Sequence, residues 1–105
     1  MIKHFFSITI LLLSFSINAS EIGRWYDDNG SPTYFDATFI ISEENGNYYI
    51  SRINGDGSKG KYRAEKNGKK FIKINDKFGA YYIITKKGLT LNDQAGYIRT
   101  AKKIE

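Results

Sequence analysis

The sequence predicts an all-β protein, a small antiparallel up-and-down β-barrel or meander of about eight short strands, and three observations carry that prediction. Turn dipeptides recur at short intervals. The runs between them alternate apolar and polar residues and are rich in Tyr, Phe, Ile and Thr. No segment after residue 20 holds a helical period. The turns are Asn29-Gly30, Asn45-Gly46, Gly55-Asp56-Gly57, Asn67-Gly68, Asn75-Asp76, Lys87-Gly88 and Asn92-Asp93. Asn-Gly and Asp-Gly accept the positive φ that tight hairpins require.

Each strand has its own reason. The first, 23 to 27, opens on Gly23-Arg24-Trp25, the only tryptophan of the chain, a single large aromatic suited to plugging one end of a barrel. A glycine two residues earlier allows the backbone to turn tightly there. The second, 34 to 42, puts Phe35, Ala37, Phe39 and Ile41 on one face against Tyr34, Asp36, Thr38 and Ser42. The third, 47 to 54, follows Asn45-Gly46, and the fourth, 60 to 66, sets Tyr62 and Ala64 against Lys61, Arg63 and Glu65. In the fifth, 69 to 75, Ile72 and Ile74 oppose Lys73, which predicts the isoleucines inside. The sixth, 78 to 86, is apolar on both faces, Ala80, Tyr82 and Ile84 against Tyr81 and Ile83, so its outer side is a candidate contact surface. The seventh, 88 to 92, alternates Leu89 and Leu91 with Thr90 and Asn92, and the eighth, 95 to 103, closes the series.

Residues 1 to 20 stand apart as a signal peptide. Met1-Ile2-Lys3-His4 is a short positive start, Phe5 to Ile17 an apolar run, and Asn18-Ala19-Ser20 a small-residue end. The run is short for a membrane span, which needs about 20 residues. Cleavage is expected after Ala19, with Ser20 as the alternative site and an uncleaved anchor as the alternative fate. The chain is therefore expected to be secreted, into a periplasm, with residues 21 to 105 forming one barrel domain and no transmembrane segment in the mature part.

Two absences narrow the chemistry. There is no cysteine, which excludes disulfides, thiol chemistry, thiolate metal sites and a lipid-anchored bacterial precursor. The only histidine, His4, lies in the leader, so Ser-His-Asp and Cys-His catalysis and the usual zinc sites are excluded as well. Carboxylates, Lys and Tyr remain for acid–base work, and the expectation is a protein that binds, with no catalytic residue, cofactor or metal. Asp27-Asp28 is no catalytic pair, because neighbours on a strand face opposite ways. Asn54, Asp56, Ser58 and Glu65 have the spacing of calcium-loop ligands, but Lys59 stands where the turn glycine belongs, and a Gly-rich hairpin explains the same letters.

Gly23 and Trp25 at the start of a hairpin series, with Gly88-Leu89-Thr90-Leu91 and Gly96-Tyr97-Ile98-Arg99 at its end, resemble the lipocalin and calycin superfamily, particularly its short bacterial lipocalin-like members. The resemblance implies a closed meander in which Arg99, on the last strand, lies across Trp25. Full-length lipocalins are about twice this size and carry a C-terminal helix that nothing here can form. In an eight-stranded barrel of such short strands, side chains are able to fill the interior.

Charge is unevenly divided. Residues 21 to 56 hold seven acids and two bases, net −5, whereas residues 57 to 105 hold thirteen bases and four acids, net +9. On a meander this predicts an acidic wall and a basic wall. The candidate ligand-binding residues are Lys59, Lys61, Arg63, Lys69, Lys70, Lys73 and Tyr81; Gly23, Trp25 and Arg99 are structural. The first expectation is a binding protein for a small amphipathic or anionic envelope molecule. The alternative is an inhibitor or immunity-type protein that presses a charged wall against another protein. Nucleic acid is not an expected partner of an exported chain, although lysines interleaved with aromatics over 59 to 77 would suit one elsewhere.

Overall fold

A computed structural model describes residues 19–28 and 36–104, and in them eight antiparallel strands close into a barrel in simple sequence order, with no helix. The strands are β1 (Ala19–Asp27), β2 (Ala37–Glu44), β3 (Asn47–Asn54), β4 (Lys59–Asn67), β5 (Lys70–Lys73), β6 (Tyr81–Thr85), β7 (Gly88–Asp93) and β8 (Gly96–Lys103). The signal-peptide prediction falls almost entirely on residues 1–18, which lie outside the described residues, as do Asn29 to Phe35.

From β2 onward the predicted turns join consecutive antiparallel strands, except that the last turn falls on Gln94-Ala95 because Asn92 and Asp93 belong to β7; Asn29-Gly30 lies outside the described residues. Asn45 and Gly46 both take positive φ, 53° and 85°, between β2 and β3, as tight hairpins demand. The Asn54–Ser58 stretch is also a hairpin: Asn54 N donates to the Ser58 carbonyl, and Asp56 Oδ1 accepts from both the backbone N and the hydroxyl of Ser58. Its polar groups are thus engaged in the turn.

One end of the barrel carries the turns β2–β3, β4–β5 and β6–β7; the other carries the loops β1–β2, β3–β4, β5–β6 and β7–β8. The first end is plugged. Trp25 is 1% exposed, and a Cβ built on Gly23 would lie 2.5 Å from its ring. Gly23 is therefore there to vacate space for the indole, which folds back over it toward the plugged end, and it carries no left-handed backbone. The expected tight turn is replaced by this packing. Gly60 and Tyr62 repeat the step on β4, where a Cβ on Gly60 would sit 2.3 Å from the tyrosine oxygen. Because β4 runs the opposite way, that ring folds back toward the other end.

The core follows the predicted alternation on β2 and β7, where Ala37, Phe39, Ile41, Leu89 and Leu91 are buried, and adds Ile50 from β3 and Tyr82 from β6; on β4 Ala64 is buried but Tyr62, expected on the same dry face, is 40% exposed. The β5 face is reversed. Phe71 is buried and Lys73 shares its side, while Ile72 pairs outward with Tyr81 and Ile74 has left the strand and is exposed. Two isoleucines outweigh one phenylalanine in a period count, but a Phe flanked by a Lys that reaches the barrel rim satisfies both burial and charge.

Two bulges adjust the parity. An extra residue, Ile22, interrupts β1 between Glu21 and Gly23, and a shift between Leu91 and Asn92 leaves Ile98 as the extra residue of β8. The second lets Arg99 and Ala101 face inward opposite Leu91 and Leu89 while Tyr97 pairs with Asn92. The seam that closes the barrel is short. β1 and β8 share only the pairs Trp25–Lys103 and Tyr26–Lys102, extended by a bond from Ile104 N to the Arg24 carbonyl of 2.9 Å.

Candidate functional site

Strand direction decides what stands at the open end. Near the ends of β1, β3 and β5 the inward positions hold Asp27, Arg52 and Lys73; β8 contributes Arg99 near its start, and β2, β6 and β7 contribute Phe39, Tyr82 and Leu91. All of these but Asp27 line a cavity of about 280 Å³ that opens to solvent, with an apolar floor and three cations in its wall. Phe78, 58% exposed, and Ile98, 47% exposed, stand at its lip.

Each cation is held differently. Arg99 makes a forked pair with Asp27, Nε to Oδ1 and a terminal nitrogen to Oδ2, both at 2.7 Å. Asp27 is 1% exposed, so Arg99 supplies the hydrogen bonds that water cannot, and the same hydrogen bonds and charge raise the already high pKa of Arg99. Lys73 spans the opening between Asp76, 3.2 Å from its Nζ, and the Tyr62 ring, 3.8 Å from its centroid. Arg52 lies 5.1 Å over the Phe39 ring and donates through Nε to Asn54 Oδ1. Two of the three cations are tied to carboxylates, whereas the bond described for Arg52 goes to a neutral amide. Its charge acts inside the cavity, where it lowers the pKa of Tyr82 against the larger upward push of burial.

Asp76 organises the β5–β6 loop on the rim. Its Oδ2 accepts from Ala80 N at 2.9 Å and Phe78 N at 3.1 Å. The Ala80 bond, aided by Lys73, holds its carboxyl below the usual carboxylate range. That is why β6 begins at Tyr81 and not at 78 as its apolar run suggested.

The residues proposed from sequence do not form one site. Lys73 alone lines the mouth. Lys59 and Lys61 border a trough of about 410 Å³ on the outer wall, where the small Ser51 lies in register between Ile40 and Lys61. Lys61 also pairs with Glu44 and lies over Tyr49, and Arg63 donates to Asn47 at 2.7 Å. Lys70 sits over the Tyr81 ring at 4.3 Å on the outer face of β5 and β6, and Lys69 is exposed in the β4–β5 turn. Arg99 is a correction of another kind: its guanidinium goes to Asp27, and the residue of β8 opposite Trp25 is Lys103, four positions further on.

Two mouth residues, Asp27 and Arg52, escaped the sequence reading as site residues. The signal was a charge on an inward parity: Gly23, Trp25, Asp27 on β1 and Tyr48, Ile50, Arg52 on β3. Asp28, by contrast, points outward, as strand alternation requires. Comparison with family models, with curated proteins and with solved structures returns no match for this chain.

Proposed function

We propose that this chain is an exported, non-catalytic, lipocalin-like protein that binds a small amphipathic anion in the barrel mouth. The observation that supports it is the coincidence of an apolar floor, Phe39, Tyr82 and Leu91, with Arg52, Lys73 and Arg99 in one cavity. At about 280 Å³ the cavity suits a fatty or aromatic carboxylate of modest size and is too small for the bulky ligands of wide cups. Arg52 is the group positioned to receive the anion, because Asp27 and Asp76 already engage the other two cations.

The test is native mass spectrometry of the chain as the expressing cell processes it, followed by titration with octanoate and phenyl phosphate as probes. Arg52→Ala should weaken a bound anion about tenfold or more, the scale of one charge-assisted hydrogen bond. Equal affinity for octanol and octanoate, or no binding of either probe at millimolar concentration, would overturn the reading.

A second reading, a protein partner, is favoured by the exposed Phe78, Tyr97 and Ile98 at the lip. Aromatic anchors of that kind dominate protein interfaces. Tyr97→Ser, outside the cavity lining, would then reduce partner capture while leaving small-anion binding intact.

A further inference from the structure

The opposite end of the barrel presents a different chemistry. Lys66 and Lys69 flank the β4–β5 turn, Lys86 and Lys87 form the β6–β7 turn, and Lys102 and Lys103 end β8. All six are exposed, and among the described residues none is in an ion pair. They are neighbours across the sheet: Ile84 N bonds the Lys69 carbonyl at the start of one turn, and Leu89 pairs with Ala101 beside the other. The acids of this end, Glu21, Glu43, Glu44 and Glu65, stand on β1, β2 and β4, with Glu21 and Glu44 tied to Arg24 and Lys61.

Beside the lysines are two apolar side chains with nothing to gain from water. Ile104 continues the seam against Arg24, and Ile22 is the bulged residue two places earlier on β1; both are 39% exposed. Of the exposed aromatics, Tyr62, Phe78 and Tyr97 lie in the half of the barrel that carries the mouth, and only Tyr26 neighbours the lysines, as the seam partner of Lys102.

We infer that this plugged end docks on an anionic lipid surface. Lysines on two turns and on the neighbouring strand ends give a broad, non-directional positive face, and Ile22 with Ile104 gives it a shallow apolar foot. That is the pairing of signals by which proteins rest on a charged interface without crossing it. A single-stranded nucleic acid would need a row of open aromatic platforms for its bases among the cations, whereas here Tyr26 stands singly beside Lys102, hydrogen-bonded to Asp36, and half-buried Tyr48 is covered by Lys66. The inference is independent of the mouth, because no residue is shared between the two surfaces.

The test is flotation of the full chain, as processed by the cell, with vesicles of phosphatidylcholine alone and with 30% phosphatidylglycerol, the composition serving only as the probe. Binding is expected to the anionic vesicles alone and to fall steeply between low salt and 1 M, where screening shortens to about 3 Å. Each lysine near such a surface is worth roughly fivefold in partitioning, so Lys69→Glu, Lys86→Glu and Lys87→Glu together should reduce binding about a hundredfold or more. Ile22→Ser with Ile104→Ser should reduce it several-fold, and Arg52→Ala should leave it unchanged. Near-ultraviolet spectra of Trp25 confirm that each variant is folded. Equal binding to neutral vesicles, full binding by the folded triple variant, or tighter binding to an oligonucleotide than to the anionic vesicles would overturn the inference.

Discussion

The two halves of the barrel are built from the same eight strands and stabilised in different ways. Toward the plugged end the interior is Trp25, Ile41, Ile50, Leu89 and Ala101, each at most 1% exposed. Toward the mouth, inward positions on the same strands hold Asp27, Arg52, Lys73 and Arg99, and the apolar floor ends at Phe39, Tyr82 and Leu91. Burial at one end supplies the stability with which charges at the other can be held in place. The difference locates stability and chemistry at opposite ends of one short axis.

The largest effect should come from removing the plug. Trp25→Ala deletes a fully buried indole and is expected to cost about 3–5 kcal/mol, a large share of the 5–15 kcal/mol that domains usually possess. Urea unfolding measures it. If the loss is below about 1 kcal/mol, the two halves do not differ as described.

Next comes the forked pair. Arg99→Ala strands the Asp27 carboxylate, 1% exposed, without its partner. Loss of one member of a fully buried pair costs 3–5 kcal/mol, but the Arg99 side chain is 39% exposed, so about 2 kcal/mol is expected after screening. Replacing both residues by Ala should cost less than replacing Arg99 alone, because no orphaned charge remains; a double-mutant cycle decides this.

The smallest effect is on pH dependence. Tyr26 donates its hydroxyl to Asp36 on the outer wall, and that bond, with burial and the carboxylate charge, pushes its pKa up to about 12 from an ordinary 10.0. The folded state therefore retains the phenolic proton more tightly than the unfolded one. The resulting stability is complete below pH 10 and is lost as pH rises toward 12. Tyr26→Phe should flatten that alkaline limb, read as melting temperature against pH, by removing the contribution of the bond below pH 10 and so slightly lowering the neutral plateau.

The comparison also explains what the sequence disclosed. Hairpins were legible because their turn chemistry is local: Asn45-Gly46 needs only its own φ angles to declare itself. The plugged half was legible because burial and alternation agree there, as in Ala37, Phe39 and Ile41. The mouth was not, since there the two disagree. Lys73 reads as a solvated residue and Ile74 as a core one, yet the strand ends between them and Asp76 takes over the chain path. Arg99 was singled out as the partner of Trp25, but its actual partner, Asp27, depends on a bulge at Ile98 and on the offset of β8 against β1, neither of which any local pattern encodes.

The short seam has a kinetic meaning. Seven of the eight strand pairings join neighbours in sequence and close only small loops, so they can zip in succession on the timescale of hairpins, about 1–10 μs each. The eighth joins Trp25 to Lys103 across most of the chain, with the largest loop entropy to overcome and only two ladder pairs to repay it. Folding should therefore reach an open, curled ribbon before it becomes a barrel. The seam should also be the first part to open, so the backbone amides of Lys102, Lys103 and Ile104 are expected to exchange with solvent well before those of Ile41 and Ile50.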